Sequence, residues 1–115
     1  MDRTLNLLGI ARKAGKLAVG ANDVAFTVRM GIASLVLSAS DASDGSTRRA
    51  KLNAEKYEVK YMPVPYTKFE FGNIAGRGSP GILAILDDGL ACSFTEKLKS
   101  KQDQTHMETQ EEMHI

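Results

Sequence analysis

Leu17-Ala18-Val19-Gly20-Ala21-Asn22-Asp23-Val24-Ala25-Phe26-Thr27-Val28-Arg29-Met30 reads as a strand, a glycine turn and a helix in succession. Leu17 to Gly20 is the strand candidate. From about Ala21 to Met30 the residues Ala21, Val24, Ala25 and Val28 share one face at helical spacing. A second unit of the same kind follows. Ala33 to Ser38 is the next apolar run, Ser40 to Ser46 is a polar loop, and a helix is predicted over roughly Gly45 to Tyr57 with Ala50, Ala54 and Tyr57 turned inward.

The pattern continues on both sides. Upstream, Thr4, Leu7, Leu8, Ala11 and Ala14 predict a helix from Arg3 to Ala14, with Asp2 as N-cap and Gly15 as its stop. Downstream, Glu58 to Met62 is a third strand candidate. Pro63-Val64-Pro65 should end it, because proline cannot donate to a ladder. Thr67-Lys68-Phe69-Glu70 has the form of a capping box, which predicts a short helix to about Ala75. Ile82 to Leu86 is a continuous apolar run of strand length, as expected of a strand covered on both faces, and is the best candidate for the sheet centre. Leu90, Phe94 and Leu98 repeat every four residues and predict a closing helix. Alternating strands and helices with short connections imply an α/β domain with helices on both sides of a sheet.

The 115 residues suit one domain, 43% apolar and 25% charged as in an ordinary globular protein. With a single cysteine, Cys92, no intrachain disulfide is expected and a reducing, cytoplasmic setting fits. We read no secretion signal and no membrane span. The net charge of +1 hides an asymmetry: residues 1–99 carry 14 Lys/Arg against 10 Asp/Glu, and residues 100–115 carry one Lys against four acids. We therefore expect a folded, modestly basic domain over 1–99 and a disordered acidic tail over 100–115.

In open α/β sheets the crevice outside the carboxyl ends of strands is where helix N-termini present free amides and a positive dipole end. Gly20-Ala21-Asn22-Asp23 and Ser38-Ala39-Ser40-Asp41 should both lie at such an edge. Asn22 and Asp23 are also ordinary helix-capping residues, so capping and base-edge contact both remain open at this point. Arg12, Lys13 and Lys16 crowd the end of the first helix, where they complement its dipole or contact a ligand. Gly76-Arg77-Gly78-Ser79-Pro80-Gly81 spells the dinucleotide fingerprint, but a helix precedes it and a strand follows, the reverse of what that site needs. It reads instead as a helix-to-strand turn, flexible enough to approach a phosphate backbone. His106 and His114 fall in the tail, Cys92 reads as a partly buried inert thiol, and Asp87-Asp88 reads as a solvated turn. We expect no catalytic residue, no metal site and no cofactor.

Three stretches taken together carry a resemblance: Leu8-Gly9-Ile10-Ala11-Arg12-Lys13-Ala14-Gly15-Lys16-Leu17, then Gly20-Ala21-Asn22-Asp23-Val24, and Phe71-Gly72-Asn73-Ile74-Ala75-Gly76 with Pro80. Over about residues 3 to 98 the chain resembles the ribosomal-protein L7Ae and L30e superfamily, most of all its bacterial YlxQ-type members. The resemblance implies a three-layer α-β-α sandwich with a mixed, roughly four-stranded sheet that binds kink-turn RNA. In such RNA a distorted groove lets a helix N-terminus reach guanine edges that regular A-form RNA hides. The family's Gly-x-Asn-Glu signature falls on Gly20, Ala21, Asn22 and Asp23. A later loop, Arg77 to Pro80 here, closes over an unpaired nucleotide.

Three departures bear on specificity. Asp23 is one methylene shorter than the usual glutamate, Phe26 stands where a lysine is common, and Arg77 occupies a position that is usually apolar. They favour RNA binding in general over tight recognition of the standard kink-turn. The implied RNA surface comprises Arg12, Lys13, Lys16, Gly20, Ala21, Asn22, Asp23, Phe26, Ser40, Asp41, Arg77, Gly78, Ser79 and Pro80. The expected partner is kink-turn-like or ribosomal RNA, with the ribosome itself a further candidate, and the expected state is a monomer away from membranes. The alternative is a protein-interaction or ribosome-assembly adaptor that has lost kink-turn specificity, built on Phe26 and Met30. A small enzyme acting on a phosphorylated metabolite ranks below both, for want of an ordered base, nucleophile or metal cluster.

Overall fold

The structure, a computed structural model, describes residues 3–76 and 78–100. Residues 101–115 of the expected acidic tail, with both histidines, and Asp2 and Arg77 lie outside the described residues, while Ser100 belongs to the last helix. Helix α1 spans Arg3–Lys13, β1 Leu17–Val19, α2 Ala21–Arg29, β2 Leu35–Ser38 and α3 Asp44–Lys56. They are followed by β3 Lys60–Pro63, α4 Lys68–Ala75 and β4 Ile82–Ile85. A fifth helix, α5, occupies 88–100.

The four strands form one mixed sheet in the order β1-β4-β2-β3, with β2 parallel to β3 and β4 antiparallel to both β1 and β2. The Ile82 run is therefore an interior strand. Every residue of β2 and β4 is buried, as two-sided cover requires. Because successive strand residues point to opposite faces, these two strands feed two cores. Leu35, Leu37, Leu83 and Ile85 meet Leu8 of α1, Phe71 of α4, and Phe94 and Leu98 of α5. Val36, Ile82 and Ala84 meet Val24 and Val28 of α2 and Ala54 of α3. The result is the three-layer α-β-α sandwich, three helices on one face and two on the other.

Local chemistry sets the ends. Gly15, at φ 72°, closes α1 in a Schellman arrangement, with Lys16 N donating to Ala11 O at 2.7 Å and Gly15 N to Arg12 O at 3.0 Å. The capping box forms in full: Thr67 Oγ1 accepts from Glu70 N at 3.2 Å, and Glu70 Oε1 accepts from Thr67 N at 3.0 Å.

β3 ends at Pro63, within the Pro63-Val64-Pro65 stretch expected to stop it. β3 is an edge strand, so the donor that proline lacks faces away from the ladder, and Val64 N resumes pairing with Ser38 O at 3.0 Å. Two local expectations are corrected, at Tyr57 and Cys92. Tyr57 is exposed, since α3 ends at Lys56 and the chain turns through Glu58 at φ 58° before it could point inward. Thr27 of α2 is buried, its hydroxyl donating to Val24 O at 2.9 Å. Cys92 is exposed, because Ala91, Phe94 and Leu98 take the sheet-facing side of α5.

Candidate nucleic-acid interface

β1, β2 and β3 all run the same way, and β4 opposes them. The carboxyl ends of three strands and the amino end of the fourth therefore share one sheet edge. Backbone hydrogen bonds join the segments there. Gly20 N donates to Ile82 O at 2.9 Å, Ala39 N to Gly81 O at 2.8 Å, and Ser40 N to Tyr66 O at 2.8 Å. Segments far apart in sequence thus form one surface: Gly20–Asp23, Ser38–Asp41, Tyr66–Lys68 and Gly78–Gly81.

Gly20 is the N-cap of α2, at φ 93° and ψ 157°, a left-handed value that L side chains rarely adopt. Its geometry swings the chain from β1 straight into the helix. Asn22 and Asp23 sit inside the first turn, past the N-cap position. Ala21, Asn22 and Asp23 are all exposed. Val24 N donates to Gly20 O at 3.0 Å, closing the first turn, and this end of the helix carries the positive end of the dipole. One turn on, Phe26 is 49% exposed with the Arg29 guanidinium 5.9 Å from its ring centroid.

The remaining residues divide. Ser40 is exposed on the edge, whereas Asp41 serves α4: its Oδ1 accepts from Lys68 N at 2.7 Å. Gly78 and Ser79 are exposed and Pro80 is half-buried. Their loop is held against α4 at Gly72, where an added Cβ would run into the Gly78 carbonyl oxygen. Gly76, at φ 75°, lies under the Arg12 guanidinium, and a Cβ there would come within 2.6 Å of Nη2. Arg12 is thereby brought to the start of the loop. Lys13 lines a groove between α1 and α4 with Glu70 and Asn73. Lys16 is at the opposite sheet edge, its carbonyl accepting from Leu86 N at 2.8 Å. Four extended residue steps put its backbone about 13 Å from Gly20.

Sequence reading missed a cleft between α2 and α3. Asn22 and Ala25 line one wall, and Ser46, Arg49, Ala50 and Asn53 the other. The spacing of those four α3 residues marks a helix face, and its polar members were the available signal. Elsewhere, Asp87 Oδ2 accepts from Leu90 N at 2.8 Å and Asp88 Oδ1 from Ser34 Oγ at 2.6 Å, so both carboxylates bind their own fold. Among the described residues no group of three or more His, Cys, Asp or Glu side chains converges for a metal, and no helix is long and apolar enough to cross a membrane.

The family model described as "Ribosomal protein L7Ae/L30e/S12e/Gadd45 family" matches residues 2–95. The chain belongs to this family. Among its relatives are two proteins named RNA-binding protein YlxQ. That of Enterococcus faecium is 29% identical over 98 residues, covering 85% of this chain and 93% of the relative. That of Bacillus subtilis (strain 168) is 31% identical over 85 residues, covering 74% and 84%. A solved structure of a Bacillus halodurans protein of unknown function has the same fold, with TM-score 0.78 at 22% identity over 86% of this chain and 99% of that one. The Giardia lamblia 15.5kD RNA binding protein superposes with TM-score 0.66 at 26% identity, covering 84% of this chain and 82% of that one. The L7Ae-family assignment bears out the resemblance carried by the Gly20 and Phe71 stretches.

Proposed function

We propose that this L7Ae-family chain is a non-enzymatic RNA-binding protein whose sheet edge takes structured RNA of kink-turn-like or ribosomal type. The observation that carries the reading is the α2 N-terminus: an exposed carboxamide at Asn22 and the positive end of the helix dipole stand beside the Gly78–Pro80 loop, tied to it through the Gly20–Ile82 hydrogen bond. Amide and carboxylate at Asn22 and Asp23 offer a donor and acceptors to a base edge. Gly78 and Ser79 permit close approach to the backbone, and Arg12 and Arg77 supply charge. The names of the YlxQ relatives and of the Giardia protein support RNA as the partner. On this reading residues 1–99 are the RNA-binding domain and 100–115 an acidic appendage, and the protein works in the cytoplasm as a monomer, on or near the ribosome.

Titrating a kink-turn RNA and an unkinked duplex of equal length over a range of salt concentrations tests the proposal. We expect tighter binding to the kinked RNA and a log–log salt slope of about −0.7 to −0.9 for each phosphate neutralised. Weak, salt-insensitive and equal binding to both would reject it. That flat outcome is what a second reading predicts, in which the chain is a protein-interaction adaptor. Phe26 at 49% and Met30 at 58% exposure, one helical turn apart, favour this second reading.

A further inference from the structure

The α2–α3 cleft has a composition that neither packing nor the sheet-edge surface explains. Where the two helices meet, Ala21, Ala25 and Ala50 are too small to fill the contact, and a space of about 170 Å³ remains above buried Val24. Its floor is apolar and its rim is polar, made of Asn22, Ser46, Arg49 and Asn53, with no acidic residue in the lining. The space is below the roughly 300–1,000 Å³ of pockets that enclose a whole small-molecule ligand. An apolar cavity of about 150 Å³ accommodates one benzene ring, so this one suits a single six-membered ring.

We propose that the cleft is a second RNA subsite, taking one unpaired pyrimidine nucleotide from the strand that crosses Gly20–Asp23. The inference rests on the RNA-binding reading and adds a place to it. The ring lies on the alanine methyls. The carboxamides of Asn22 and Asn53 face its edge, each with a donor and an acceptor. Arg49 is exposed and its Nε makes only a long 3.4 Å bond to Gly45 O, which leaves the guanidinium fork for the phosphate. The charge around the cleft agrees: α3 carries Arg48, Arg49, Lys51 and Lys56 against Asp44 and Glu55, while Asp23 and Arg29 offset each other on α2. The subsite is distinct from the Gly78–Pro80 loop, being formed by the two helices that cover the other face of the sheet from α4.

The test uses the full chain, a kink-turn RNA with uridines in its bulge, and four variants. Arg49→Gln should weaken binding about tenfold and flatten the salt slope by about one phosphate. Ala50→Leu fills the cleft without removing charge, so it should weaken binding at an unchanged slope. Asn53→Ala should act in the same sense and serves in its place if Ala50→Leu fails to fold. Lys51→Gln removes the same charge from an exposed site outside the cleft and should change affinity far less than Arg49→Gln. Abasic sites in the bulge should abolish the difference between wild type and Ala50→Leu. Equal effects of Arg49→Gln and Lys51→Gln, with wild-type binding by the cleft-filling variant and by Asn53→Ala, overturn the subsite and leave the sheet-edge reading standing. Flat, salt-insensitive binding by the wild type instead removes that reading itself.

Discussion

Asn22→Ala is expected to weaken kink-turn RNA binding by about 10- to 100-fold while leaving the melting temperature unchanged. The carboxamide is exposed in the first turn of α2, and Gly20 rather than Asn22 is the N-cap, so its removal costs the helix no capping bond. Alanine at that position is a good helix former. Against RNA, a side chain paired in two places with a base edge contributes about 1–3 kcal/mol of discrimination, which sets the size of the loss. Binding isotherms and thermal melts on the same preparation separate the two effects. Lowered stability with unchanged affinity would assign Asn22 to the fold.

Gly72→Ala should act on the fold and on binding together. Within α4 the substitution gains about 1 kcal/mol of helix propensity. That gain is overridden, because the new methyl meets the Gly78 carbonyl, with Ser79 Cα at 3.5 Å, and both are backbone that no rotamer change can move. Either α4 or the 78–81 segment must shift. Forced overpacking of this kind costs about 1–3 kcal/mol, so a net loss of stability is expected from urea unfolding. Because the displaced segment is tied to α2 through Gly20 N and Ile82 O, RNA affinity should fall with it. Gly9→Ala is the control, since nothing lies within 4 Å of its Cβ position. It should gain about 1 kcal/mol of stability from helix propensity and keep its RNA affinity.

The fold was legible wherever a signal was local. The Ile82 run identified an interior strand because two-sided burial leaves no polar position. Thr67 and Glu70 marked a helix start because a capping box closes within four residues. Gly15 marked a helix stop because its left-handed geometry is the cheapest way to turn the chain. What escaped depends on neighbours distant in sequence. Asp41 looked like part of the binding edge, and its carboxylate also starts α4, 27 residues away. The α2–α3 cleft exists because Ala25 and Ala50 face each other across a helix contact, which neither helix reveals alone. Lys16 looked contiguous with Gly20, but a three-residue strand carries it to the other side of the sheet.

The candidate site divides in the same way. The Gly20-to-Asp23 stretch was readable because a strand, a glycine and a helix in that order place first-turn amides at a sheet edge. Phe26, one turn along α2 from Asn22, has the Arg29 guanidinium 5.9 Å from its ring centroid.

The most direct measurement is a ¹⁵N NMR titration of the full chain with a kink-turn RNA, following backbone amides and Asn and Arg side-chain signals. The account predicts that the largest shifts fall on Gly20–Asp23, Ser40 and Gly78–Ser79, with Lys16 and the opposite sheet edge undisturbed. Shifts centred on the α1–α4 groove or on α5, with the α2 N-terminus unmoved, would contradict it.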